Sequence, residues 1–251
     1  MRPVWILIGL TLGFQLTLMG QTNEDRRRNI EKREAATPSP EALDRKAHSI
    51  ARLKSEGVPT VDHLPVIEDS KQAKIRTKEE IAHRTIAVCL TAVKGEGVDQ
   101  KTVDLLVKHF GAEKFFSPKE AAFIKNPHPT QKELAKFSWR YECYWVLLWS
   151  LGYIDKLARP EQMCDVPKAT GILRDLSTEQ FIEHAKLRPI GEILDQADLL
   201  YRYDWAAVNA RLKNQSAPAK LESGVVQEWH YVLNWLIGYM DQQWDDISTD
   251  T

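Results

Sequence analysis

Cysteine is scarce in this 251-residue chain, which has three: Cys89, Cys143 and Cys164. So small and odd a number excludes a disulfide framework. No two of them stand at metal-ligand spacing, which excludes a zinc knuckle. Excess charge is lacking too. The 34 basic residues are matched by 35 acidic ones, for a net charge of −1, so there is no electrostatic footprint for nucleic acid. The densest basic run, Arg26-Arg27-Arg28, is flanked by Glu24, Asp25 and Glu31. A glycine-rich phosphate loop, a nucleophile elbow and a zinc-protease helix are all missing, and the sequence calls for neither cofactor nor metal. No stretch alternates at period two over strand length, so the expected fold is all-α.

What is present begins with an apolar leader. Arg2 precedes a run from Val4 to Leu18, and Gly20 offers a small residue for cleavage. This is the pattern of a signal peptide over residues 1–20, which sends the protein to a periplasm or out of the cell. The run falls short of the roughly 20 apolar residues of a membrane span, so none is expected once the leader is removed. Gln21 stands where a lipoprotein would carry its lipidated cysteine. The alternative is a protein anchored by an uncleaved leader. Residues 21–40 are charged, with few apolar side chains, and read as a flexible tether. Residues 41–251 read as a single multi-helix domain.

Within that domain the helices announce themselves. Ser39-Pro40-Glu41 starts the first, with serine as cap and proline in the first turn. Leu43, Ala47, Ile50 and Leu53 make its apolar stripe, and Gly57 ends it. The stretch "VPTVDHLPVIEDS" contains Pro59 and Pro65 and is expected to run extended over the domain surface. Thr77…Glu80, Ser117…Glu120, Thr130…Glu133 and Ser177…Gln180 are capping boxes, each an independent helix start. Cys89 and Cys143 lie in apolar helical runs, where buried free thiols are the simplest reading. One bridge and a spare thiol is the other.

Two helices are nearly written twice. "ECYWVLLWSLGYID" from Glu142 and "EWHYVLNWLIGYMD" from Glu228 share 7 of 14 positions at an offset of 86 residues. Both are apolar nearly all round, which predicts central helices covered on several sides. They are expected to run to Asp155 and to about Asp241. Gly152 and Gly238 are costly in a helix interior, so each either admits a neighbouring backbone or ends its helix. Duplication and coincidence are both open, because the flanking sequences do not align.

The glutamates that head these stripes are the sharpest candidates. Partly desolvated, Glu142 and Glu228 could face one another as an acid/base pair of a hydrolase. Alternatively each is tied to an arginine, with Arg140, Arg188 and Arg202 as the partners in reach. His230 and Asn234 lie at i and i+4 on a face that Glu228 does not share, either as a ligand-facing pair or as a hydrogen-bonded core pair. Glu80 and His83 have di-iron spacing, but no second copy exists. Glu192, Asp195, Asp198 and Arg202 read as a solvated face with one i,i+4 salt bridge. The closing "WDDISTDT" reads as a hydrated tail, or as a weak cation site. Two functions follow. One is a non-enzymatic module binding a protein or small molecule in a cleft between the Trp-rich helices. The other is a hydrolase using Glu142 and Glu228, with His230 assisting.

The motifs "LPVIEDSKQAKIRTKEEIAHR", "SPKEAAFI", "FSWRYECYWVLLWSLGYID", "RPIGEILDQADLLYRYDW", "GVVQEWHYVLNWLIGY" and "WDDISTDT" together resemble the bacterial family called domain of unknown function 4272. The resemblance covers residues 45–251. It implies a helical domain, assigns no activity, and places the family's polar signature on Arg140, Glu142, Arg188, Glu192, Asp198, Glu228, His230, Asn234, Asp245 and Asp246. The chain departs from the family pattern at Trp229, where arginine is preferred, and at His83.

Overall fold

The structure, a computed structural model of the chain, describes residues 37–251. The expected leader over 1–20 and all but the last four residues of the expected tether over 21–40 lie outside the described residues. Among those described there are helices and no strands. They are α1 (Pro40–Ser55), α2 (Lys78–Gly95), α3 (Gln100–Phe110), α4 (Pro118–Lys125), α5 (Gln131–Ser138), α6 (Arg140–Ser150), α7 (Val166–Arg174), α8 (Thr178–His184), α9 (Ile190–Leu212) and α10 (Ser223–Leu236), with 3-10 turns at Tyr239–Asp241 and Trp244–Asp246. All four capping boxes form, opening α2, α4, α5 and α8. Each satisfies two amides that the first turn leaves without partners.

The two Trp-rich helices, α6 and α10, sit at the centre. Helix α6 packs between α2 and α10, and α10 packs between α6 and α9. Cys143, Val146, Leu147, Leu148, Val232, Leu233 and Leu236 are fully buried along them. Each large side chain removed from water in this way stabilises the fold by about 1.5–3 kcal/mol. Helix α1 lies on the far side of α9, and the segment between α1 and α2 is non-helical, as its prolines dictate.

Both central helices end sooner than the sequence suggests, at Ser150 and Leu236. The reason is Gly152 at φ +79° and Gly238 at φ +66°, left-handed conformations that close a helix. In α6 the amide of Gly152 donates to Trp149 O and that of Tyr153 to Leu148 O, completing a Schellman turn. Each glycine also admits a backbone. A Cβ on Gly152 would stand 2.9 Å from Lys186 O, and one on Gly238 would stand 2.7 Å from Lys74 O.

The segments that approach are built alike. Arg188 N donates to Ser150 O at 2.9 Å, and Arg76 N donates to Leu236 O at 3.0 Å. Ser150 and Leu236 are equivalent positions of the repeat. The two guanidinium groups then donate through Nε to Trp149 O and Trp235 O and lie 4.9 and 5.2 Å from the rings of those same tryptophans. Lys74-Ile75-Arg76 leads into α2, and Lys186-Leu187-Arg188 leads into α9. The grip is therefore exchanged. The strap ahead of α2 closes α10, and the strap ahead of α9 closes α6.

Three expectations are corrected. The buried face of α1 is Ala42, Arg45, Ser49 and Leu53, while Leu43 is half exposed. Arg45 is drawn inward because its guanidinium reaches Glu41 at 2.7 Å and Asp195 at 2.9 Å. Asp198 and Arg202 do form the i,i+4 bridge, at 2.7 Å, but in the interior and not on a solvated face. The closing segment is folded back: Trp244 is buried, and Asp245 accepts from Ser117 Oγ and Lys119 N at the start of α4.

Candidate functional site

The first turn of α6 brings Arg140 and Glu142 to the flank of α10 but gives them separate work. Arg140 Nη1 donates to Glu228 Oε2 at 2.8 Å. The Cys143 thiol donates to the same oxygen at 3.0 Å. The guanidinium lies 4.3 Å from the Tyr231 ring and 5.7 Å from that of Trp244. Glu228 is thus held by an arginine, one of the two arrangements that its position allows. The pair is largely removed from solvent, with about an eighth of Arg140 and a fifth of Glu228 exposed. Stacking on two rings orders the guanidinium further.

Glu142 has no such partner. It is 2% exposed, and each of its oxygens accepts one neutral donor: the Cys164 amide at 2.7 Å and the Trp229 indole at 2.9 Å. Burial pushes its carboxyl above the ordinary value, against the two hydrogen bonds, which favour the charged form. Its place in the first turn of α6 also favours negative charge. The seam between α6 and α10 is closed here, since the Cys143 thiol sits 3.4 Å from Glu228 O and both Trp229 and Cys143 are buried. Packed side chains fill the place where a cleft was expected. All three thiols are free. Burial pushes Cys89 up to about 12 and raises Cys143 and Cys164 as well, so none is a ready nucleophile at neutral pH.

His230 and Asn234 are brought together, with Asp204 of α9 as a third member. His230 Nδ1 lies 2.8 Å from Asp204 Oδ2, and Asn234 Nδ2 lies 3.1 Å from His230 Nε2. The same Asn234 nitrogen donates to Ser248 O at 2.9 Å, which fixes the amide orientation. Nε2 therefore accepts, and Nδ1 carries the proton and donates to Asp204. Both ring nitrogens are engaged, so the imidazole has no lone pair left to act as a base on a substrate. Arg188 is elsewhere, at the C-terminal end of α6, where it also reaches Glu192 at 3.0 Å.

Asp204 does more than orient His230. It lines a groove of about 290 Å³ together with Ala207, Val208 and Arg211 of α9, Ser223 and Gln227 of α10, and the closing residues 249–251. The α9 residues fall at i, i+3, i+4 and i+7, one face of a helix. Asp204 Oδ1 makes no hydrogen bond among the described residues, and Asp204 is one of the residues that line this groove. Arg211, exposed at the other end, has no ion-pair partner among them. Sequence reasoning missed Asp204 and Arg211, though their spacing on α9 was legible. The partners of Glu142, an indole and a backbone amide, have no sequence signature.

Among the described residues, no group of three or more His, Cys, Asp or Glu side chains could hold a metal. None of the described helices is long and apolar enough to cross a membrane. Neither the curated proteins nor the solved structures contain a match to this chain. The sequence profile of the family described as domain of unknown function (DUF4272) matches residues 45–247, from within α1 to the buried Ile247. That span holds both Trp-rich helices and both straps, and the chain belongs to the DUF4272 family.

Proposed function

We propose that the protein is an exported, non-enzymatic helical module that binds a small molecule in the groove between α9, α10 and the closing segment. The observation that carries this reading is the buried Asp204 carboxylate, which lines the groove with Oδ2 held by His230 and Oδ1 making no hydrogen bond among the described residues. Ligand sites are concave and place a few oriented polar groups among apolar ones, and this groove has that make-up at the small end of the usual range. The hydrolase reading is weaker, because acid/base work needs carboxylates within reach of a substrate. Both oxygens of Glu142 are committed inside the core, and Glu228 is held by Arg140 and Cys143.

The test is native mass spectrometry on full-length protein recovered from the exported fraction of cells that express it. The expected result is a polypeptide shortened by the leader and carrying a small ligand that the Arg211→Glu variant loses. Protein retained inside the cell at its full mass overturns the export half of the reading. Hydrolysis that disappears in Glu142→Gln or Glu228→Gln overturns the binding half.

A further inference from the structure

The chemical order along the groove narrows what it takes. At one end stands Asp204, more than nine-tenths buried, with Oδ2 committed to His230 and Oδ1 free. Ala207 and Val208 follow on the same face of α9 and offer no hydrogen bond. One turn further stands Arg211. Seven residues of helix separate the two charged groups along the axis by about 10 Å, and the arginine side chain is long enough to shorten that distance. Ser223 and Gln227 face this row from α10 with neutral donors and acceptors.

We infer that the groove binds a small zwitterion whose cationic nitrogen meets Asp204 and whose carboxylate meets Arg211, with an aliphatic stretch between them over Ala207 and Val208. This rests on the reading that the groove is the binding site, and it names the ligand class. A simple anion fits poorly, because Asp204 and Asp250 both line the groove. A simple cation leaves Arg211 without a partner. Ion-assisted hydrogen bonds at two fixed ends are stronger than neutral ones and set the length of the molecule as well as its charges. His230 matters here as a positioning residue: by holding Oδ2 it fixes the direction in which Oδ1 accepts.

The experiment is calorimetric titration of the full-length exported protein with 6-aminohexanoate and L-lysine, using hexanoate and hexylamine as half-molecules. The zwitterions are expected to bind, and each half-molecule to bind about tenfold more weakly or worse, the cost of one charge-assisted contact. Arg211→Glu, an exposed change, should reduce zwitterion binding by at least about tenfold while leaving the circular dichroism spectrum unchanged. Asp204→Asn should instead abolish the preference for zwitterion over hexanoate. If that variant misfolds, Arg211→Gln and the half-molecules still decide the matter. Zwitterion binding indifferent to Arg211, or no binding by any of the four compounds, overturns the ligand class. Should native mass spectrometry still find another retained molecule that Arg211→Glu releases, the groove remains the site and only the class has failed. Absence of any retained molecule defeats both.

Discussion

The C-terminal ends of α6 and α10 are built alike, and their N-terminal ends are not. At the C-terminal ends, equivalent glycines stop the helices and equivalent arginines cover equivalent tryptophans, with matching backbone bonds. At the N-terminal ends, two aligned glutamates meet opposite fates: Glu228 pairs with a guanidinium, while Glu142 is buried between an indole and an amide. One repeat thus carries a shared structural device at one end and divergent chemistry at the other. The likeness of a helical stripe sets where a side chain points, and only its neighbours decide its charge state.

The comparison can be broken most severely at the glycines. Gly152→Ala and Gly238→Ala each force a left-handed non-glycine and press a methyl group onto a carbonyl oxygen. Each should cost about 2–4 kcal/mol, measured by urea unfolding, and the two losses should agree within about 1 kcal/mol if the ends are equivalent. A large loss at one site beside a negligible one at the other would end the claim of likeness.

At the dissimilar ends, Trp229→Phe removes the indole donor and leaves a buried Glu142 oxygen bare, for about 2 kcal/mol. The counterpart of Trp229 in the first helix is Cys143, whose thiol donates to Glu228, a carboxylate that Arg140 also holds. Arg76→Lys and Arg188→Lys keep the charge but lose the planar fork that spans several carbonyls, and each should cost about 1 kcal/mol. A double-jump unfolding series on the two variants would show whether these losses match.

The smallest effect is one of pH. The folded Glu142 carboxyl titrates above its ordinary value of 4.5 because burial disfavours its charge. Above that ordinary value the unfolded chain has released the proton while the native chain still holds it, so native stability falls as pH rises through the folded value. Below 4.5 the contribution is fully present. One proton limits the slope to about 1.4 kcal/mol per pH unit. Glu142→Gln should remove this component, giving a shallower decline in denaturation midpoint above pH 4.5 than the parent shows. An identical pH profile in the two proteins would mean that Glu142 is charged in the core.

The parts of the fold that could be read in advance are those encoded locally. Four hydroxyl-to-carboxylate or hydroxyl-to-amide spacings gave four helix starts, and two apolar stretches gave the two central helices. The face of α1 was misjudged because Arg45 is buried through Glu41 and Asp195, and Asp195 lies 150 positions away. The straps escaped notice for a related reason. Lys74-Ile75-Arg76 and Lys186-Leu187-Arg188 are 112 residues apart, whereas the helices they close are 86 apart, so no single alignment shows both. Of the candidate residues, Arg140 with Glu228 and His230 with Asn234 do meet. Arg188 serves the end of a helix. The groove was invisible because its essential feature is a carboxylate oxygen that nothing else uses.

The exchanged straps also order events as the polypeptide is made. Arg76 cannot dock until Leu236, 160 residues later, has been synthesised, because its amide ends on that carbonyl. The strap ahead of α2 is therefore the last to be docked, after α10 is made, whereas α6 is closed earlier by the strap that precedes α9.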